Sequence, residues 1–194
     1  MVGDRYQFED DPGCYPGTSV LRNFPDLRDQ AALDAFEIEA VGRRILEPLS
    51  DGNFDPTHYR HLHRHLFGEV YSWAGDYRTV VTWKGNSRFA QPAFIAKQME
   101  LTFAKLKLPE FQPGSETSSF VAAAADFLGD VNHIHPFREG NGRTQLAFLR
   151  LLGIRSGHSF RSESVEANEF LAAMIASFNG QMDALIDELE RMLA

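Results

Sequence analysis

Apolar residues recur along most of the chain at the three- and four-residue spacing of amphipathic helices. One run, 26–49, contains Asp29, a residue type that caps helix N-termini. Its apolar positions are Leu33, Phe36, Ala40, Val41 and Ile45. The next run, 55–71, opens with Asp55 as the predicted cap and Pro56 at the first helical position. Each run therefore predicts a helix that buries one face.

The same spacing returns in the second half of the chain, at 92–108 and 119–134. A run from 141 to 157 is apolar around much of its circumference, which is typical of a buried central helix, and Gly157 is its predicted C-cap. The last stretch, 164–193, predicts two helices or one helix broken near Asn179-Gly180.

A different pattern interrupts the helices at 78–83, where RTVVTW is rich in β-branched and aromatic residues. The following residues, KGNSRFA, supply a Gly-Asn turn and a short extended piece, so the pattern predicts a β-hairpin. A lone hairpin is marginal in water, and we expect it to lie as a flap, about 76–91, on the helical body with part of its edge available to a partner. The predicted fold class is mainly α with a small β-hairpin flap.

The composition predicts one domain, 1–194, made of an N-terminal segment (1–28), a helical body and the flap. The chain has 194 residues, 43% of them hydrophobic, and one cysteine, Cys14, which excludes an internal disulfide. No apolar run approaches about 18 residues, and the N-terminus is charged, so we expect a cytoplasmic protein without a membrane span. The net charge of -8 argues against direct binding of nucleic acid.

The most informative chemistry lies at 135–143, HPFREGNGR, directly before the predicted central helix. A helix N-terminus offers unpaired backbone N–H groups and partial positive charge. Glycines on both sides of Asn141 let the backbone approach a ligand closely. The loop is therefore suited to an anion, above all a phosphate.

Three side chains add reactive groups to this loop. His135 can take a proton near neutral pH, Glu139 offers hard oxygen ligands for Mg²⁺, and Arg143 is a fixed cation. A base, a metal ligand and a phosphate clamp favour transfer of a phosphate-containing group to a hydroxyl. The stretch is not a Walker loop, because Phe137 stands where that motif needs its first glycine and an arginine replaces the lysine.

HPFREGNGR resembles the core motif of Fic-domain proteins, His-Pro-Phe-x-Asp/Glu-Gly-Asn-Gly-Arg-x-x-Arg. The stretch 15–24, YPGTSVLRNF, resembles the N-terminal segment of that family, and 71–90 resembles the lead-in to its target-docking flap. The resemblance implies a Fic-type helical bundle. It also implies transfer of AMP from ATP to a Tyr, Ser or Thr hydroxyl of a target protein, with release of pyrophosphate.

The resemblance also implies a role for each matching residue. His135 would be the base that activates the target hydroxyl, Phe137 would anchor the loop in the core, and Glu139 would bind Mg²⁺ bridging the α- and β-phosphates. The anion hole and phosphate clamp would comprise Gly140, Asn141, Gly142 and Arg143. The flap would align an extended target segment by strand addition through Thr79, Val80, Val81, Thr82, Lys84 and Arg88, although charges such as the last two also protect strand edges from aggregation.

The chain departs from the motif at position 146, where Leu146 replaces the second arginine. Losing one charge-assisted phosphate contact typically costs about 1.5–3 kcal/mol. Arg150 lies roughly one turn further on the same face and offers partial compensation. Three hypotheses follow. The protein transfers AMP with weaker affinity for ATP, it uses another nucleotide donor, or it is an attenuated or inactive Fic module that binds nucleotide.

The family's inhibitory motif, Ser/Thr-x-x-x-Glu-Gly/Asn, has one partial match, SESVEA at 162–167, which ends in alanine. A compact Fic domain without its own inhibitor resembles the toxins that a separate small antitoxin protein silences. Toxins of this group commonly act on ATPase subunits of type II topoisomerases, which gives a candidate target by analogy.

Other histidines and other reactions are weaker candidates. His61 and His65 are four residues apart and offer a hypothetical metal pair, but no third ligand stands at a recognisable spacing. His133 is assigned to packing or to support of the site. A kinase-like Fic activity is disfavoured by GNGR in place of GNKR, and a metallohydrolase using His133, His135 and Glu139 would leave the anion nest without a purpose.

Overall fold

The computed structural model describes residues 11–49, 52–84, 87–161 and 166–193, and within them the chain is mainly helical. The helices are α1 (Gln30–Leu46), α2 (Pro56–Phe67), α3 (Pro92–Ala104), α4 (Thr117–Ile134), α5 (Asn141–Ser156), α6 (Ala167–Phe178) and α7 (Asp183–Met192). Two 3-10 turns, Lys105–Lys107 and Pro109–Phe111, follow α3.

The first two helices begin where the capping residues predict. The Asp29 carboxylate accepts a hydrogen bond from the backbone N–H of Ala32, and Asp55 accepts one from the N–H of His58 at 2.8 Å. Each aspartate satisfies an amide that has no partner inside its helix. Pro56 occupies the start of α2, where its missing N–H costs no hydrogen bond.

Helix α4 lies at the centre of the fold and contacts α3, α5, α6 and α7, while α2 packs against α1 and α5. The core between α2, α3, α4 and α5 is aromatic. The Phe148 ring of α5 lies 5.3 Å from the rings of Tyr59 and Phe103 and 5.8 Å from that of Phe127, measured between centroids. Because rings from four helices meet there, the middle of α5 packs on a rigid base.

The segment predicted as a hairpin contains one short antiparallel pair, β1 (Trp83–Lys84) with β2 (Ser87–Arg88). Trp83 faces Arg88 across the pair. The predicted strand was longer: residues 78–82 lie outside the two paired strands. Arg78 explains the difference, because its guanidinium binds the carbonyl of Val80 within this segment and those of Ala90 and Ile134 outside it, as described below. The extended flap thus stays a prediction.

The C-terminal region follows the first of the two predicted alternatives, with α6 and α7 as separate helices. Gly180 adopts a φ of +83° between them, in the left-handed region that glycine enters without strain. Gly157 ends α5 in the same conformation, as predicted. No helix among the described residues is long and apolar enough to cross a membrane.

Candidate active site

The candidate site is the loop that joins α4 to α5, and both of its ends lie in the left-handed region. His135 ends α4 with a φ of 49°, and Gly140 precedes α5 with a φ of 78°. A non-glycine residue in this region is uncommon and strained, and such strain concentrates at functional sites. These two left-handed residues mark the two ends of a six-residue loop.

Gly140 is required for space as well as for conformation. A Cβ atom added to it would meet the Phe67 ring at 2.3 Å, far inside van der Waals contact. The carbonyl of Gly140 accepts a hydrogen bond from the Thr144 hydroxyl at 2.9 Å, which ties the loop to the first turn of α5.

Asn141 closes the loop from inside. Its Oδ1 accepts from the backbone N–H of Phe137 at 2.9 Å, and its Nδ2 donates to the carbonyl of the same residue at 2.9 Å. The Asn141 side chain is buried and therefore turned toward the loop, so any contact that Asn141 makes with an anion falls to its backbone N–H.

Phe137 is fully buried beneath the loop. Its ring stacks on that of His63 at 3.8 Å and on that of Tyr59 at 5.5 Å. These contacts attach the loop to α2, because a buried aromatic ring that leaves its pocket loses several kcal/mol of packing.

His63 bridges two backbone segments with both ring nitrogens. Nδ1 accepts from the N–H of Gly75 at 2.9 Å, so Nε2 carries the proton and donates to the carbonyl of Glu139 at 3.0 Å. Burial lowers the pKa of His63 to about 4, which keeps the ring in this neutral form. Glu139 is thereby held through its backbone.

Arg138 fixes the opposite side of the loop. Its guanidinium forms a buried ion pair with Asp11, with Nη2 at 2.6 Å and Nε at 2.7 Å from the same oxygen, Oδ2. The pair joins the loop to the N-terminal segment across 127 residues of sequence. Removing either partner would strand a buried charge, which makes the contact a firm anchor.

The His135 side chain lies beside the predicted flap. The residue is 6% exposed, its ring stacks on the Phe89 ring at 3.8 Å, and its backbone carbonyl accepts from the Arg78 Nε at 2.7 Å. Phe89 directly follows β2, so its ring contact with His135 connects the strand pair to this histidine.

Arg78 is a buried hub between the flap and α4. Besides the carbonyl of His135, its guanidinium donates to those of Ile134, Val80 and Ala90 at 3.1, 2.8 and 2.6 Å. The backbone N–H of Arg78 donates to the carbonyl of Pro136. A cation at the C-terminal end of α4 satisfies carbonyls that have no partner inside the helix and complements the helix dipole.

The first turn of α5 leaves free the backbone N–H groups that the predicted anion nest requires, within the residues that the structure describes. Gly140 provides no side chain to cap the helix, and in the described part of the chain no acceptor pairs with the N–H groups of Asn141, Gly142 or Arg143. Gly142 is exposed, and a Cβ added to it would meet no atom within 4 Å. The nest is therefore open on that side.

Two carboxylates flank the guanidinium of Arg143. Glu37 of α1 accepts from its Nη2 at 2.6 Å, whereas the Glu139 Oε1 lies 3.7 Å away. Glu139 Oε1 also accepts from the Gly140 N–H at 2.8 Å. Burial, and then the charge of Glu37, raise the pKa of Glu139, while Arg143 opposes the shift.

Comparison with known proteins assigns this loop to a family. The model of the Fic/DOC family matches residues 53–153, which include α2, the strand pair, the loop and most of α5. The chain belongs to the Fic/DOC family. A probable protein adenylyltransferase of Sinorhizobium fredii, y4lH, is 44% identical over 97% of this chain and 99% of its own length.

Two further relatives support the same assignment. The probable protein adenylyltransferase Fic of Escherichia coli is 30% identical over 95% of this chain and 92% of its own length. The crystal structure of BepC from Bartonella tribocorum, with bound AMPPNP, superposes on this Fic/DOC chain with a TM-score of 0.83 at 25% identity, over 94% of this chain and 96% of the other.

Leu146, the departure from the Fic/DOC motif, packs against the edge of the hydrophobic core from α5 and is half-buried. Arg150, one turn further, is exposed. The apolar contact explains how the position accommodates leucine, although the contact adds no cation to the nest.

The predicted flap residues lie on both sides of the strand pair. Thr79 and Arg88 are exposed, Val80 and Val81 are half-buried, and Thr82 is buried. Lys84 is in β1. The Phe89 N–H donates to the carbonyl of Thr82 at 3.3 Å, which extends the pairing by one bond.

Sequence reasoning missed four residues of the site: Glu37, His63, Arg78 and Arg138. Two of them carried a usable signal, because helical spacing places Glu37 on the face of Leu33 and His63 on the face of Tyr59. A polar residue on an apolar helix face needs a buried partner. Arg78 and Arg138 show no such signal, since their partners are backbone carbonyls and a distant aspartate.

The remaining histidines have packing and surface roles. The His65 Nδ1 lies 2.9 Å from the Arg44 guanidinium, and its Nε2 lies 2.9 Å from the Arg44 carbonyl oxygen. His61 is exposed. His133 stacks on Phe178 at 4.1 Å. Among the described residues no group of three or more His, Cys, Asp or Glu could hold a metal ion.

Proposed function

We propose that this protein transfers AMP from ATP to a side-chain hydroxyl of a target protein. The observation that supports the proposal is that one loop carries His135 and Glu139 and leads directly into the first turn of α5, where the Arg143 Nη2 lies 3.7 Å from the Glu139 carboxylate. The choice of AMP and of a protein acceptor is supported by relatives that are named protein adenylyltransferases and cover nearly the whole chain.

His135 acts as the general base. The target hydroxyl gives its proton to the imidazole while its oxygen bonds to the α-phosphorus of ATP, and the bond from that phosphorus to the bridging oxygen breaks, releasing pyrophosphate. Stacking on Phe89 and the fixed backbone at Arg78 hold the ring in one orientation, so little reorganisation is needed when the hydroxyl arrives.

The nest binds the phosphates. Backbone N–H groups of Asn141, Gly142 and Arg143 point outward from the N-terminus of α5 and supply hydrogen bonds to phosphoryl oxygens. The Arg143 guanidinium adds a charge that does not titrate near neutral pH. Phe137 anchors the loop from below.

Glu139 is the residue that would hold Mg²⁺. Its Oε2 makes no hydrogen bond within the described ranges, and its side chain is one-third exposed. A single protein carboxylate fits this ion, which commonly binds one or two carboxylates together with substrate phosphates rather than a full protein cage. When bound with the nucleotide, Mg²⁺ supplies positive charge that offsets the phosphates.

The flap aligns the target. The stretch from Thr79 to Val81 lies outside the strand pair, and none of its N–H groups is paired with an acceptor in the described part of the chain. An extended segment of a target protein would add as a further strand here, beside Phe89 and the catalytic histidine.

The test is labelling of a cell lysate with ATP carrying ³²P at the α or the γ position. The proposal expects protein label from the α position only. His135→Ala should abolish it, because the hydroxyl then has no base, whereas His61→Ala, an exposed histidine of α2, should leave it unchanged. Label from γ alone would establish phosphorylation instead, and label that persists in His135→Ala would remove this residue from the mechanism.

Leu146 favours a second candidate, a Fic module that binds nucleotide without turnover. The nest lacks the second cation of the motif, and Leu146 instead contacts the core. Binding of ATP without label from either position would support this candidate. A Fic enzyme that uses another donor would show label only when that nucleotide replaces ATP.

Regulation and location complete the proposal. A small antitoxin protein would silence the enzyme, with topoisomerase ATPase subunits as the first candidate targets and the cytoplasm as the compartment. Most of the partial inhibitory motif, 162–165, lies outside the described residues. Purified topoisomerase subunits added to the α-labelled reaction test the target, and co-expression with a protein carrying Ser/Thr-x-x-x-Glu-Gly/Asn tests the antitoxin.

A further inference from the structure

Glu37 is a buried acid in the middle of α1, on the face that also buries Leu33, Ala40 and Val41. It lies outside the segment matched by the Fic/DOC model. An ionised carboxylate is costly to bury unless its oxygens are paired. The position therefore needs a compensating partner.

Both oxygens of Glu37 are paired. Oε1 accepts from Arg143 at 2.6 Å, and Oε2 accepts from the Tyr71 hydroxyl at 2.5 Å. Burial and the neighbouring carboxylate raise the pKa of Tyr71, so the hydroxyl keeps its proton and donates it. Tyr71 is itself fixed by stacking on Trp73 at 4.4 Å. The carboxylate is thus held in one orientation from behind.

The guanidinium group of Arg143 is held at one edge by a hydrogen bond and on one face by an aromatic ring. Nη2 binds Glu37, and the guanidinium carbon lies 4.7 Å above the centre of the Phe67 ring. Nε and Nη1 make no hydrogen bond within the described residues, and about one-third of the side chain is exposed. Several N–H donors of Arg143 therefore remain available to a ligand.

Two carboxylates compete for this arginine, and the distances show which one holds it. Nη2 is 2.6 Å from Glu37 but 3.7 Å from Glu139. Without Glu37, the strongest attraction left to Arg143 would be Glu139, four residues earlier in the chain. Arg143 would then cover the carboxylate that the metal ion needs, and its donors would turn away from the phosphates.

We propose that Glu37, seated by Tyr71, is a positioning residue that holds Arg143 at the phosphate-binding end of α5 and keeps it off Glu139. This inference rests on the proposed function. It matters more in this chain than in one with the full motif, because Leu146 leaves Arg143 as the one motif arginine at the nest.

An inhibitory role for Glu37 would change the nucleotide affinity of its variants in the opposite direction. If Glu37 withheld Arg143 from nucleotide, removing its charge would strengthen nucleotide binding. If Glu37 positions Arg143, removing its acceptor atoms weakens binding, whereas removing the charge but keeping an acceptor changes it little.

The experiment is calorimetric titration of the full chain with AMPPNP and MgCl₂, which measures affinity without turnover. Glu37→Ala should weaken binding about tenfold, the equivalent of about 1.4 kcal/mol. Glu37→Gln keeps one oxygen for Arg143 and should stay within about threefold of the parent, and Tyr71→Phe should fall between the two. Thermal unfolding of each variant shows that it is folded.

A double-mutant cycle separates positioning from a structural role. In an Arg143→Ala background, Glu37→Ala should have no further effect on AMPPNP affinity, because its action passes through the arginine. Additive losses would overturn the inference. So would tighter binding of Glu37→Ala and Glu37→Gln, or unchanged binding of a folded Glu37→Ala or Tyr71→Phe.

The parent protein distinguishes this inference from the proposed function. If the parent binds AMPPNP and transfers AMP while the Glu37 variants match it, the positioning role alone is wrong. If the parent neither binds AMPPNP nor transfers label from the α position, the proposed function fails and this inference fails with it.

Discussion

The loop at 135–140 and the flap around β1 and β2 lie side by side but are built in opposite ways. Side chains hold the loop from several directions: Asn141 from inside, His63 from α2 and Arg138 through Asp11. In the flap, by contrast, the strand pairing involves only two residues of β1 and two of β2 among the described residues. The difference fits the two tasks that we propose for these regions, because chemistry needs fixed geometry, whereas recognition by strand addition needs unpaired backbone.

Arg78 is where the two regions meet. Its guanidinium binds the carbonyls of His135 and Ile134 at the loop and those of Val80 and Ala90 at the base of the flap. The segment is therefore fixed at its base, whereas the N–H groups of residues 79–81 have no acceptor among the described residues. Four substitutions test this difference between the loop and the flap.

Replacing Arg78 with alanine should have the largest effect. Several buried carbonyls would lose their donor, and we expect a loss of about 3–5 kcal/mol in the free energy of unfolding together with loss of AMP transfer. Urea denaturation measures the first and α-labelling the second. Arg88→Ala, at an exposed arginine of β2, is the matched control and should stay within about 0.5 kcal/mol of the parent. An Arg78→Ala variant as stable as the parent would show that the hub is dispensable.

Substituting Gly140 tests the rigidity of the loop directly. Gly140→Ala requires a left-handed φ of 78° from alanine and drives its Cβ into the Phe67 ring, so we expect a loss of about 2–4 kcal/mol. Gly142→Ala adds the same methyl group where no atom lies within 4 Å, in a helix that favours alanine, and should be neutral or stabilising. Equal melting temperatures for the two variants would contradict the geometry of the loop.

A proline in the flap should impair recognition and spare the nest. Val81→Pro removes one backbone donor from the proposed edge, so labelling of the target should fall about three- to tenfold while AMPPNP affinity is unchanged. Val81→Thr keeps the donor and the branched shape and should label normally. Equal labelling by both variants would exclude this backbone N–H from target binding.

Restoring the motif arginine should have the smallest effect. Leu146→Arg places a half-exposed cation near the nest, and screening limits the gain in ATP affinity to about threefold. Leu146→Met is the uncharged control. Arg150→Ala should weaken ATP binding in the parent if Arg150 compensates. Unchanged affinity in Leu146→Arg would mean that position 146 does not face the phosphates.

Much of the fold was predictable from local signals. Asp29, Asp55 and Pro56 begin their helices as predicted, and Gly157 ends α5, because capping depends on atoms within a few residues. The loop motif was equally visible, since nine adjacent residues carry it. The length of the strands was not, because Arg78 draws the start of that segment onto carbonyls of α4 far along the chain.

The amino-acid order alone determined the helices, the loop and the chemical groups that the loop carries, since each depends on neighbours in the chain. Only the tertiary structure decided what surrounds those groups. Glu37 reaches Arg143 across 106 residues and Asp11 reaches Arg138 across 127. Such pairs follow no spacing rule, because burial of unpaired charge, rather than position along the chain, selects the partner.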